Sequence, residues 1–194
     1  TETVEPEFYE SRRQFRRAAG LDFGRKKDLT CWWMGEQLGD ILMTRDVTTL
    51  RGMSTPDQFR TLAPRVAGVD RVCLDYTGAG VGLGDMMAEK FGVWGPEQDS
   101  FGKIELCNFT NSFKLDLFPK AKARMERREV RIPVSRAIRE DLHSIHRITT
   151  ANGNITYRAP HTADGHADRA NAFALCVRAA AQAPRGLVTV RGVK

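Results

Sequence analysis

No stretch of this 194-residue sequence approaches the ~18 consecutive apolar residues of a membrane span, and no basic-then-apolar leader opens it. These absences argue against a membrane-embedded helix or a secreted precursor, so the chain reads as cytoplasmic with no membrane partner. Cysteine is scarce. Cys31, Cys73, Cys107 and Cys176 stand far apart without a CxxC pair, which excludes a zinc site of that type and disfavours a disulfide framework. They read as small buried hydrophobes. Gly-Lys-Ser and Gly-Lys-Thr occur nowhere, so there is no P-loop, and the glycine run 78–84 misses GxGxxG because position 83 is Leu. A nucleotide site is therefore discounted.

What is present suits one ordinary domain with its own core. The hydrophobic fraction of 41% and charged fraction of 28% argue against disorder and fibrous repeats. Lys and Arg number 30 against 24 Asp and Glu, a net charge of +6, which suits a polyanionic partner but also many proteins without one.

Residues 1–17 are charged, with four glutamates ahead of Arg12, Arg13, Arg16 and Arg17, and read as a helical lead-in or a linker from a preceding domain. Beginning with neither methionine nor leader, this segment reads either as the tail of a longer polypeptide cut at a domain boundary or as the product of processing. Residues 18–183 form the domain proper and 184–194 a C-terminal tail. Segments 18–23, 29–35 and 41–50 are short and apolar or β-branched, separated by polar turns, and predict a three-stranded meander. Ser54-Thr55-Pro56-Asp57 opens a helix with a hydroxyl cap and an early proline, followed by Phe59, Leu62, Ala63 and Val66 at helical spacing. Residues 71–75 read as a fourth strand. The glycine turn 78–84 then leads into a helical run to Phe91, and 104–109 is a further strand, which implies a parallel crossover. Residues 112–128 predict a helix with Phe113, Leu117, Ala121 and Met125 on one face. A short extended piece at 130–132, a helix at 135–143, a hairpin of 145–150 with 155–158, and an alanine-rich helix over 165–181 complete the order. Meander, helix, strand, helix, strand and further helices is the ribonuclease-H-like order: a mixed α/β sheet flanked by helices.

Three aspartates occupy places where chemistry is easily built. Asp22 lies near the end of the first strand, Asp75 ends the fourth, and Asp168 sits in the first turn of the last helix. Ligands gather at the carboxyl ends of strands in open α/β sheets, and clustered carboxylates repel unless hard cations neutralise them. Taken singly, each has a plain explanation as a turn residue, a strand-end cap and a helix-dipole partner. As a constellation they suit two magnesium or manganese ions ~3.5–4 Å apart, which activate water and stabilise the leaving oxygen of a phosphodiester. Arg25, Lys26 and Lys27 follow Asp22 and either contact a phosphate backbone or form a solvated loop. Gly78 and Gly80 either admit a phosphate close to the backbone or make a tight turn. His166, two residues before Asp168, is placed to orient that carboxylate or a water. His143, His146 and His161 carry no zinc-ligand spacing, and Trp32 and Trp33 read as core and edge packing.

The stretches Gly20-Leu21-Asp22-Phe23-Gly24-Arg25-Lys26-Lys27-Asp28-Leu29-Thr30, Leu74-Asp75-Tyr76-Thr77-Gly78-Ala79-Gly80 and Asp164-Gly165-His166-Ala167-Asp168-Arg169-Ala170-Asn171-Ala172-Phe173-Ala174-Leu175 resemble the three nuclease motifs of bacteriophage terminase large subunits, particularly the Mu-like prophage branch. Lys114, in Thr110-Asn111-Ser112-Phe113-Lys114, resembles the lysine that this family places at the start of a helix. The likeness spans residues 20–181. It implies a ribonuclease-H-like fold, two divalent metals, and endonucleolytic cutting of concatemeric viral DNA during genome packaging in the host cytoplasm. It makes Asp22, Asp75 and Asp168 the metal ligands, and double-stranded DNA, a small terminase subunit, a portal and an N-terminal ATPase motor the partners. Many relatives have paired acids where this chain has Ala167-Asp168, so Asp164 competes for the place of a further ligand. Without a P-loop this chain is not itself the motor. The rival readings are a Holliday-junction resolvase or transposase-type nuclease of the same fold, and an inactive module that only binds DNA or a portal.

Overall fold

The computed structural model describes residues 16–24, 29–95, 102–150, 152–159 and 167–181. Residues 1–15 of the lead-in, the loop cations Arg25, Lys26 and Lys27, the acid Asp164, His161, His166, and residues 182–194 with the C-terminal tail lie outside them. The first strands are β1 (Arg16–Asp22), β2 (Thr30–Leu38) and β3 (Ile41–Leu50), an antiparallel meander as expected. β1 starts two residues earlier than its hydropathy indicates. Arg16 and Arg17 pair with Gln37 and Glu36, and Arg17 exchanges hydrogen bonds with Asp70, so backbone pairing carries the strand into charged sequence.

Helix α1 (Thr55–Ala67) is capped as predicted, with Ser54 Oγ accepting from the Asp57 N–H at 3.3 Å. β4 (Arg71–Asp75) follows, then α2 (Gly80–Phe91), β5 (Ile104–Cys107) and α3 (Asn111–Glu126). α2 begins inside the glycine run rather than after it. Gly84 lies under the Tyr76 ring, where a Cβ would come within 2.6 Å of the ring edge, so glycine here serves helix packing as well as the turn. β5 stops at Cys107, short of Phe109. β6 (Val130–Arg131), α4 (Arg136–Ser144), the hairpin β7 (His146–Thr149) with β8 (Ile155–Arg158), and α5 (Asp168–Ala181) complete the described elements.

The main sheet runs β5-β4-β1-β2-β3-β6, with β1, β4 and β5 mutually parallel. Both faces are covered, so central strands bury side chains on both sides. One core gathers Leu21, Trp32, Val72 and Leu74 with Leu62 and Leu83 of α1 and α2. The opposite core gathers Ala18, Trp33, Cys73 and Cys107 with Leu117 of α3 and Phe173 of α5. Trp32 and Trp33 thus enter opposite cores and both are fully buried, which corrects the expectation of edge packing. Trp33 also meets Phe173 edge-on at 5.2 Å and donates to Thr44 Oγ1.

Candidate metal centre

Separate local causes bring Asp22, Asp75 and Asp168 toward one end of the sheet. β1 and β4 are parallel neighbours with Leu21 opposite Leu74, so Asp22 and Asp75 end their strands one step beyond that pair. The alternation that turns Leu21 and Leu74 to the core beneath α1 and α2 turns Asp22 and Asp75 to the α5 face. Gly20 decides how close α5 lies. A Cβ there would sit 2.0 Å from the Ala172 carbonyl oxygen and 2.4 Å from the Cys176 nitrogen, so no other residue permits this approach. The helix contacts β1, β2 and β4, and its first residue is Asp168.

Asp22 and Asp168 are both buried. Asp22 Oδ2 accepts from Asn171 Nδ2 at 2.9 Å, and Asp168 Oδ2 accepts from the Leu29 backbone N–H at 3.1 Å. Cys31, opposite Asp22 in β2, senses both acids. Burial pushes its thiol well above the usual range, and the charges of Asp22 and Asp168 push it further while Arg169 opposes them. The start of α5 is held from outside the helix. Ala167, at φ 63°, has no side chain that caps, and Asp141 of α4 instead accepts from the Arg169 N–H at 3.1 Å and from its Nη1 at 3.2 Å.

Asp75 is half-buried, and Oδ1 accepts from Thr77 Oγ1 at 2.5 Å. Burial raises its carboxyl above the ordinary range, more than Thr77's hydrogen bonds and the Lys114 charge lower it. Beside it opens a cavity of about 690 Å³ lined by Thr77, Lys114, Tyr157, Arg158 and Asn171 among others. Lys114 therefore shares a cavity with Asp75, from the first turn of α3. Gly78 is left-handed at φ 52°, and a Cβ on Gly80 would lie 2.2 Å from the Asp75 carbonyl oxygen. Both glycines have a conformational reason of their own: the chain must turn sharply and begin α2 against the end of β4.

Carboxylate oxygens are the donors that hard divalent cations take, and a buried acid whose charge is disfavoured gains by binding one. The donor chemistry fits, although the three carboxylates do not close to within 4.8 Å of one another. Among the described residues the set that does is Cys73, Glu105 and Cys107. That set is poorly suited to a cation. Glu105 accepts from Arg71 at 2.5 Å, from Arg178 at 2.7 and 3.0 Å and from the Cys73 thiol at 2.9 Å, so two guanidiniums already neutralise it. All four cysteines are free and buried, as the sequence suggested.

Sequence reading missed Asn171, Tyr157, Arg158 and Asp141. Asn171 had a usable signal, since it lies three residues after Asp168 and so on the same helix face. The others come from the hairpin and α4, whose positions no local pattern specifies. His143 and His146 are exposed, and along α3 Lys120 and Lys122 pair with Asp116 and Glu126, as in an ordinary solvated helix.

No protein-family model and no curated protein matches the sequence. Solved structures do match. The large terminase nuclease from thermophilic phage G20c with bound magnesium aligns with TM-score 0.69 and 20% identity over 86% of this chain and 82% of that one. The large terminase nuclease domain of Thermus phage P74-26 gives TM-score 0.64 and 20% identity over 90% and 81%. The large terminase of bacteriophage HK97 gives TM-score 0.61 and 10% identity over 90% of this chain but 42% of that one. These likenesses establish the fold, a ribonuclease-H-like mixed sheet flanked by helices, shared with phage large-terminase nucleases.

Proposed function

We propose that this domain is a divalent-metal-dependent endonuclease acting on duplex DNA, the nuclease part of a terminase large subunit that cuts concatemeric viral DNA during packaging. One observation carries the reading: Asp22 and Asp75 end adjacent parallel strands on the face that α5 covers, and Asp75 lines a cavity together with Lys114. The fold shared with a terminase nuclease solved with magnesium supports it.

In this reading Asp22, Asp75 and Asp168 hold two magnesium or manganese ions, and Asp168 is preferred to Asp164 because Gly20 seats its helix on β1. Held there, the ions would supply activation of a water at neutral pH and stabilisation of the leaving oxygen. Lys114 and Arg158 hold the phosphate of the strand to be cut within the cavity, and Arg25, Lys26 and Lys27 add contacts to the phosphate backbone. Phosphate contacts carry no base information, so cutting is broadly tolerant of sequence. His166 orients the Asp168 carboxylate. Another large terminase, from a thermophilic bacteriophage, was solved in complex with ATP-gamma-S and is matched over 41% of its length. By analogy the nucleotide-driven motor lies N-terminal to this domain, with the small subunit and portal as further partners.

The test is plasmid linearisation with manganese. Asp22→Asn and Asp75→Asn reduce cleavage to background while circular dichroism stays unchanged, and chelation with EDTA does the same to the unaltered domain. A folded Asp75→Asn protein that still cuts would overturn the assignment.

A further inference from the structure

We infer that Asn171 is a positioning residue for the first carboxylate, so that a single turn of α5 supplies one metal ligand and orients another. The inference rests on the metal-nuclease reading above. Asn171 and Asp168 stand three residues apart on α5, on neighbouring positions of one helix face. Asp168 begins the helix, while the Asn171 amide reaches across to Asp22 on β1, a residue 149 positions earlier in the chain, with Nδ2 2.9 Å from Oδ2.

The amide presents its N–H₂ to Asp22, whose carboxylate oxygen accepts. The geometry is over-determined on the helix side. Gly20 seats α5 on β1, Asp141 ties the backbone of its first turn, and the Asn171 N–H itself donates to the Ala167 carbonyl at 2.9 Å. A donor on so constrained a backbone fixes the carboxylate it holds. Asn171 also lines the cavity beside Asp75, so the residue that orients Asp22 adjoins the second acid. A neutral amide does this without adding charge. An aspartate at the same place would add a negative group, whereas a lysine would compete with the metal for Asp22. Hydrogen bonds that orient a ligating carboxylate typically change metal affinity about 10- to 100-fold.

The experiment compares manganese binding by titration calorimetry, the manganese dependence of plasmid cleavage, and metal-free thermal unfolding for the unaltered domain, Asn171→Ala and Asn171→Leu. The leucine variant keeps the side-chain shape and removes the donor. Both variants are expected to bind manganese about 10-fold or more weakly, to need correspondingly more manganese for half-maximal cleavage, and to recover most of the rate at saturation. Loss of maximal rate with an unshifted manganese dependence would point to general damage and overturn the inference, as would affinity equal to that of the unaltered domain in a folded variant. If the unaltered domain takes up no manganese, the metal-nuclease reading fails first and this inference falls with it.

Discussion

Glu105 and Asp75 lie on neighbouring strands, two register steps apart, and face the same side of the sheet. Each is half-buried, yet their carboxyls move in opposite directions. At Glu105 burial pushes the carboxyl up, but hydrogen bonds from Arg178, Cys73 and Arg71, with the charge of Arg178, outweigh it and hold the group below its usual range. At Asp75 burial prevails over Thr77 and Lys114. The first acid is neutralised by the protein itself and contributes to the fold. The second retains a cost of ionisation that a cation would relieve, which is what separates a structural carboxylate from a candidate ligand.

The strongest way to break this comparison is to remove each acid in turn. Glu105→Ala removes the carboxylate that Arg71, which is 1% exposed, shares with Arg178, while Arg178 keeps its ion pair with Asp116 at 3.4 Å. Breaking this largely buried ion pair at Arg71 should cost up to about 3–5 kcal/mol, read as a lower midpoint in urea unfolding. Asp75→Asn should leave the metal-free midpoint unchanged or slightly higher while cleavage is lost. If both substitutions destabilise alike, the two acids are equivalent and the distinction fails.

Gly20→Ala tests whether the seating of α5 joins the two regions. The added methyl must displace helix backbone, with an expected cost of about 1–3 kcal/mol, and weaker manganese binding should accompany it because Asp168 moves with the helix. Unchanged stability would mean that α5 does not need its present approach to β1. A smaller effect is expected from Lys114→Ala. It should weaken DNA binding across all sequences and reduce the slope of log affinity against log salt by about 1, with little change in unfolding.

The finest test is the pH dependence of metal-free stability. Asp75 has a folded pKa above its unfolded value, so the folded state binds more protons between the two, and stability falls as pH rises through that window. Glu105 works in the other direction: its stabilisation is present above the ordinary glutamate pKa and is lost as pH falls through its lowered folded value. Asp75→Asn should therefore flatten the decline above the ordinary aspartate range in EDTA and leave acid unfolding unaltered. Melting temperature against pH for the two proteins measures the difference.

Much of the fold could be read from local pattern. The bounds of β3 and β4 match the predicted segments, and the cap of α1 was visible in Ser54-Thr55-Pro56-Asp57, because these signals act within a few residues. The strand-end positions of Asp22 and Asp75 were legible for a related reason, as acids at the ends of apolar runs. The roles of Gly20, Asp141 and Arg158 were not. Gly20 looks like any glycine in a strand until the Ala172 carbonyl is set against it, and Arg158 belongs to a hairpin whose docking beside Asp75 depends on long-range packing. Glu105 was passed over because a lone glutamate in a short strand carries no sign of the two arginines that meet it from β4 and α5.

The sequence by itself determined which segments become strands and helices and which acids end them, since side-chain periodicity, caps and turn residues operate over one or two turns of chain. Only the tertiary structure decided which acids are neutralised by arginine, which are oriented by an amide, and which face a cavity. Those distinctions depend on groups brought together from distant positions, and a carboxylate acquires its pKa and its partners from what surrounds it in space.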